Sequence, residues 1–180
     1  MTLITRWLGV HPLGGRPAHE DRLDTERGGS LRLRLPAERI ADVLPLAGAT
    51  LDVAGAAVLL GAPTIHSLVP AASLDARLVA IKLTRAPRHK NAALGRDTLD
   101  VEGFQTRYVA EIGRQLAALE IRKPFEIHGR RSLTVAGRRV VGFSVRVHSL
   151  TADESLRLLE HGIGGKRRMG CGIFRPTRGA

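Results

Sequence analysis

The chain reads as an α+β protein, and three patterns carry that reading. Residues 30–36 alternate strictly between apolar and basic, as a half-buried strand does. Residues 101–119 carry an apolar stripe at helical spacing: Phe104, Tyr108, Ile112, Leu116 and Leu119. Residues 125–134 and 138–150 are two strand-like runs hinged on Ala136-Gly137. In order, residues 73–180 give strand, helix, strand, strand, helix, strand, which is the ferredoxin-like split βαβ arrangement. Residues 1–72 give strand, strand, helix, strand, the same series without its opening strand and helix. The expectation is tandem ferredoxin-like units, an incomplete one at 1–72 and a second at 73–180.

Residues 3–13 read as a strand stopped by Pro12 and Gly14-Gly15. The polar stretch 16–30 reads as a loop. In the strand that follows, Arg32 and Arg34 are expected on the outer face. Residues 36–44 predict a short helix, with Pro36 tolerated at or before its first turn. Residues 51–68 predict two short strands about Gly55. A strand at 76–83 then opens the second series, followed by a basic, irregular loop at 85–97. Thr151-Ala-Asp-Glu154 is a capping-box sequence and predicts a helix at about 152–160. A glycine-rich basic loop at 162–172 leads into a final short strand at Ile173-Phe174.

Composition narrows the partner. The formal net charge is +11, from 28 Lys and Arg against 17 Asp and Glu. From residue 121 onward there are thirteen Lys or Arg and four Asp or Glu, so most of the excess lies in the last third. Such a field draws polyanions, with nucleic acid the leading class and an anionic membrane surface second. No segment has the apolar length of a spanning helix, and residues 1–8 lack a signal-peptide layout. Cys171 is the only cysteine, so neither an internal disulfide nor a Cys-rich zinc site is available. The expected setting is the cytoplasm, with no membrane association. The core must be aliphatic, since the chain has one Trp, one Tyr and four Phe.

The segment richest in chemistry is His161-Gly-Ile-Gly-Gly-Lys-Arg-Arg-Met-Gly-Cys-Gly-Ile-Phe174. Its glycines (Gly162, Gly164, Gly165, Gly170 and Gly172) permit positive φ and close backbone approach. Successive N–H groups of such a loop can converge on a phosphate, and Lys166, Arg167 and Arg168 add long-range attraction. No Walker sequence is present, and a loop that leads into a strand is no dinucleotide fingerprint. A solvated basic connector is the plain alternative.

A helix, this loop and then a strand resembles the signature of the CRISPR-associated repeat endoribonucleases of the RAMP superfamily. The ending Met169-Gly-Cys-Gly-Ile-Phe174 is especially close. Upstream, Trp7-Leu-Gly-Val-His-Pro-Leu-Gly14 and Ser30-Leu-Arg-Leu-Arg-Leu-Pro36 are similar to one compact subfamily. The resemblance implies tandem ferredoxin-like units, a bound repeat-RNA hairpin of the CRISPR RNA (crRNA) precursor, and cleavage without a metal or other cofactor. There the 2′-hydroxyl attacks the adjacent phosphate, leaving a 2′,3′-cyclic phosphate and a 5′-hydroxyl. Members often keep their product and join other CRISPR effector subunits.

The resemblance also implies a general-base histidine on or near the first helix of the first unit. That helix has no counterpart here, since Trp7-Leu-Gly-Val-His11 matches the strand after it. A late start, a strand supplied by a partner, or a rearranged unit would each account for this. His11 becomes the candidate base, against the plainer reading of a strand-end histidine. His161 abuts the loop, His128 and His148 lie in the hairpin, and His89 lies in a basic loop; His19 and His66 have no distinguishing setting. No histidine pair has metal-site spacing with an acidic partner. Tyr108 could reach a phosphate, but its stripe position favours the core. Arg122-Lys123, Arg130-Arg131 and Arg138-Arg139 flank the hairpin and suit RNA phosphates or, equally, a solvated surface. The functional readings are an endonuclease that retains its product, a non-catalytic crRNA-hairpin subunit of an effector complex, and a general RNA-binding protein.

Overall fold

The structure is a computed structural model describing residues 8–11, 13–14, 16–17, 23–24, 28–53, 55–83, 101–135 and 137–177. Its strands are β1 (Gly9–Val10), β2 (Arg16–Pro17), β3 (Leu23–Asp24), β4 (Leu33–Arg34), β5 (Thr50–Val53), β6 (Ala56–Leu59) and β7 (Leu74–Val79). Then follow α1 (Val101–Ala117), β8 (Phe125–Val135), β9 (Arg138–Val147), α2 (Ala152–His161) and β10 (Phe174–Pro176). The predicted loop at 85–97, with His89, lies outside the described residues, as do Trp7 and His19.

From β7 onward the elements run β-α-β-β-α-β and build one antiparallel sheet in the order β10-β7-β9-β8. The opening strand β7 sits inside the sheet, with the last strand on one side and β9 on the other. Period 2 sorts its residues: Leu74 and Ala76 are buried against the helices, while Asp75 between them faces the other way. The helical stripe behaves as predicted. Tyr108, Ile112 and Leu116 are buried, and they join Leu158 and Leu159 of α2 in one core with β7, β9 and Phe174. Each such burial contributes about 1.5–3 kcal/mol. α2 begins on its capping box: the Thr151 hydroxyl accepts from the Glu154 amide at 3.3 Å, and the Glu154 carboxylate accepts from the Thr151 amide at 2.8 Å.

Gly142 of β9 escaped the sequence reading. A Cβ there would stand 2.0 Å from the Val79 carbonyl oxygen, so only glycine lets β9 pass β7 at this point. The β7–β9 register breaks just there, between Ala76 and Val79, and the β8–β9 register shifts between Ile127 and Arg130.

The first 72 residues form smaller pieces: an antiparallel ribbon of β1 and β4, a β2–β3 pair, and a β5–β6 hairpin turning on Gly55 at φ 84°. Two expectations are corrected. The predicted helix at 36–44 is a pair of 3-10 turns, Ala37–Asp42 and Leu44–Leu46. No residue in either turn is buried, so no packing supports an α-helical face, and Pro45 supplies no amide to continue one. Arg34 is not on an outer face; it is 9% exposed. Arg34 turns in to meet the second half of the chain, whereas Arg32, two residues before it, stays exposed as expected.

Candidate functional site

Pairing fixes the geometry of the ribbon. Gly9 stands opposite Arg34, and the His11 amide donates to the Arg32 carbonyl at 2.9 Å. Gly9 and His11 are two apart on one strand, as are Arg34 and Arg32 on the other, so all four share one face. That face meets the end of α2 and the start of β10. A Cβ on Gly9 would lie 3.2 Å from the Arg34 guanidinium and 3.3 Å from Ile173, so the glycine leaves room for the arginine to cross the strand. Arg34 Nη1 donates to the Leu159 carbonyl at the C-terminal turn of α2, where a cation is favoured by the helix dipole. Its Nε has no partner. Burial first, then Arg167, brings its pKa down to about 10, so it stays charged at neutral pH.

His11 is partly buried two residues along. Desolvation, then Arg34, Arg32 and Arg175, lowers its pKa to about 4. At neutral pH the imidazole is uncharged and able to accept a proton, but it is a weaker base than a free histidine.

The glycine loop folds on itself and on β7. Gly162, Gly164, Gly170 and Gly172 have positive φ, as does Lys166 at 62°. A Cβ on Gly172 would be 1.8 Å from the Ile163 oxygen, and one on Gly162 would be 2.1 Å from the Gly172 oxygen. Hydrogen bonds take the glycine amides out of the expected cradle. Gly162, Ile163, Gly164, Gly165, Gly170, Cys171 and Gly172 all donate to acceptors within the protein; Gly164, for example, donates to Gln115 Oε1 at 2.6 Å and Gly165 to the Ala80 oxygen at 2.9 Å. The glycines therefore shape the loop, and the loop presents its side chains. Lys166 and Arg168 are exposed, whereas Arg167 folds back to donate to the His161 carbonyl. Arg34 and Arg167 thus cap the same helix end from opposite halves of the chain.

The β8–β9 hairpin separates its arginine pairs by period 2. Arg130 opposes Phe143 and Arg139 opposes Thr134, which places both on the face whose Phe143 packs toward the helices. Arg131, opposite Gly142, and Arg138, opposite Val135, share the other face with Val140 and Leu133. On the first face lies a cleft of about 480 Å³ lined by Lys82, Glu111, Gln115, Arg139, Gly165 and Lys166. Glu111 holds its charge there, with Arg114 and Gln115 drawing its pKa to about 2.

The ion pairs of the described residues leave these cations aside. Arg39, Arg114, Lys123, Arg146 and Arg157 have carboxylate partners. The hairpin arginines, the loop cations, Arg32 and Arg175 appear in none. His128 and His148 both approach Glu126, at 3.3 Å. Tyr108 is a core residue: its hydroxyl donates to the Val79 carbonyl, its ring meets Phe143 edge-on at 4.9 Å, and burial pushes its pKa up to about 12. Cys171 is fully buried with its thiol pKa raised by burial. His161 and His66 are exposed. Arg32 and Arg175 gained their place only from the fold; Arg175 carried no signal in sequence beyond its charge.

Three comparisons bear on this arrangement. The family model described as Cas6 Crispr matches residues 3–179. A curated protein of Myxococcus xanthus (strain DK1622), the CRISPR-associated endonuclease Cas6, is 39% identical over 169 residues; the match takes in 94% of this chain and 65% of that protein, so the chain spans just under two thirds of its relative's length. Among solved structures, a Cas6-related gene product of Pyrococcus furiosus superposes with a TM-score of 0.58 at 12% identity, over 94% of this chain and 77% of that one. A CRISPR-associated protein Cas6 superposes with a TM-score of 0.55 at 14% identity, over 97% and 80%. Identities this low show a shared α+β fold and no more. The match of the family model over nearly the whole sequence does show kinship: the chain belongs to the Cas6 family.

Proposed function

We propose that this chain binds the hairpin of CRISPR repeat RNA and cleaves the precursor beside it, without a metal, by attack of the 2′-hydroxyl on the adjacent phosphate. The observation that carries the reading is a histidine, uncharged at neutral pH, with Arg34, Arg32 and Arg175 about it, in a member of the Cas6 family whose hairpin and glycine loop carry further exposed cations. Phosphate attraction is the sequence-independent part of RNA affinity, and loop, stem end or single strand supplies the specific part. We read the sheet from β7 to β10 with its two helices as a complete ferredoxin-like unit, residues 73–180, preceded by a partial one at 1–72. Lys166, Arg168 and the hairpin arginines Arg130, Arg131, Arg138 and Arg139 take the RNA backbone; Gly162, Gly164, Gly165, Gly170 and Gly172 hold the loop in shape, and Arg167 anchors it. His11 takes the 2′-hydroxyl proton, an effect typically worth about 10²–10⁴-fold. The product stays bound, ready for other effector subunits, in the cytoplasm.

Incubating the purified chain with repeat RNA in EDTA tests this. The expected result is a fragment ending in a 2′,3′-cyclic phosphate, and no cut when the nucleotide at the site is 2′-deoxy. RNA that is bound and never cut would leave the second reading, a non-catalytic crRNA-hairpin subunit. The low basicity of His11 favours that reading.

A further inference from the structure

We propose that His11, Arg32 and Arg175 form a subsite for one RNA phosphodiester, placed where the β1–β4 ribbon meets β10. The subsite rests on the RNA-binding reading above and goes further by fixing where one phosphate sits and what it does.

The argument begins with geometry. His11 and Arg32 are neighbours across the ribbon, on the face turned to the second half of the chain. Arg175 comes from β10, which follows directly on Ile173, and Ile173 packs on Gly9 of the same face. Arg34, one pair further along, is committed elsewhere: its Nη1 holds the Leu159 carbonyl. It therefore positions the ribbon, leaving the exposed Arg32 and Arg175 to meet a ligand.

Charge supplies the second part. Arg175 stands opposite Asp75 in register, but that carboxylate is taken by Arg146 in two bonds of 2.6 and 3.2 Å. Glu160 and Arg167 both lie near Arg34. Among the described residues no acid faces His11, while three guanidinium groups do. Gathering like charges in a partly desolvated place is unfavourable unless an anion joins them, and guanidinium groups bind phosphate oxygens well.

The consequence is a coupling between binding and proton transfer. In the free protein burial, and after it the three arginines, hold His11 at a pKa of about 4. A phosphate between them offsets their repulsion and restores basicity to the imidazole. The base gains strength only with RNA in place, next to the phosphate where a 2′-hydroxyl would be activated.

Histidine NMR titration of the full chain tests the proposal, alone, with inorganic phosphate, and with a repeat hairpin blocked by a 2′-deoxy nucleotide. The His11 midpoint is expected to rise by about one pH unit or more with the blocked RNA, as expected when an opposite charge arrives nearby. Arg32→Gln and Arg175→Gln should each raise the midpoint in the free protein, shrink the RNA-induced rise, and lower the salt slope of binding by about one. Folding of the variants is checked from the unchanged signals of the α1 core. RNA that binds by gel shift while the His11 midpoint stays put would overturn the subsite and leave the RNA reading standing. Failure to bind RNA, with inorganic phosphate still raising the midpoint, would overturn the RNA reading and the assignment of the subsite to RNA, leaving a phosphate site alone. If neither ligand moves His11, the subsite is wrong.

Discussion

His11 shows at the scale of one residue how a fold can set chemistry against propensity. An exposed histidine would titrate near pH 6.5, whereas this one is held to about 4 by burial and three arginines. The folded state thus binds the proton less readily than the unfolded chain. The neutral histidine imposes no pH penalty above about pH 6.5, and stability is lost as pH falls from there toward 4. Urea midpoints measured across that window should fall, and His11→Gln should flatten the decline; an equal slope in the variant would show that other groups govern it. The glycines make a second statement at this scale. Gly172 combines a φ of 65° with backbone only 1.8 Å from its missing Cβ, and Gly142 meets the Val79 oxygen at 2.0 Å. Gly172→Ala should cost roughly 1–3 kcal/mol from its backbone alone, and Gly142→Ala about 1–3 kcal/mol from overpacking. Chemical denaturation measures both. Gly142 was not recognisable in sequence because its neighbour, Val79, is over sixty residues away.

Elements divide the basic residues into working groups that adjacency in sequence conceals. A strand sends successive side chains to opposite faces, so Arg130 acts with Arg139, and Arg131 with Arg138. The first pair shares its face with the cleft that holds Lys82 and Lys166. Arg130→Gln with Arg139→Gln should therefore reduce the salt slope of RNA binding by about two, and Arg131→Gln with Arg138→Gln by less. Equal losses would mean that both faces of the hairpin meet the RNA. The glycine loop divides similarly. Lys166→Ala with Arg168→Ala should lower the salt slope by about two and leave the melting temperature close to that of the unaltered chain. Arg167→Ala should do the reverse, lowering thermal stability first, because that side chain bonds the end of α2. Its three adjacent cations look alike in sequence, and only the φ values around Lys166 and Gly170 decide which one turns inward.

At the scale of the whole molecule, the buried apolar residues among those described all lie from Leu74 onward. In the first half, Leu59, Ile65 and Val69 remain exposed at 71%, 64% and 67%. The ribbon meets the second half at the turn Arg167–Met169, at Ile173 and through the buried Arg34 bond to α2. Arg34→Ala should accordingly raise amide exchange in β1 and β4 while α1, β7 and β9 stay protected; uniform loss of protection would place Arg34 in the global fold instead. The element order from β7 to β10, the stripe of α1 and the capping box of α2 follow from residues within a turn or two of one another. Those interactions are local, so periodicity alone displays them. The net charge that motivates the proposed partner class was equally legible, because it sums over the chain whatever its shape. Which face of the ribbon turns inward, which loop arginine is structural and which acids are already paired depend on residues as far apart as Arg34 and Leu159. Tertiary structure alone decided these, because burial and pairing are set by what packs opposite a residue, and sequence neighbours carry no record of that.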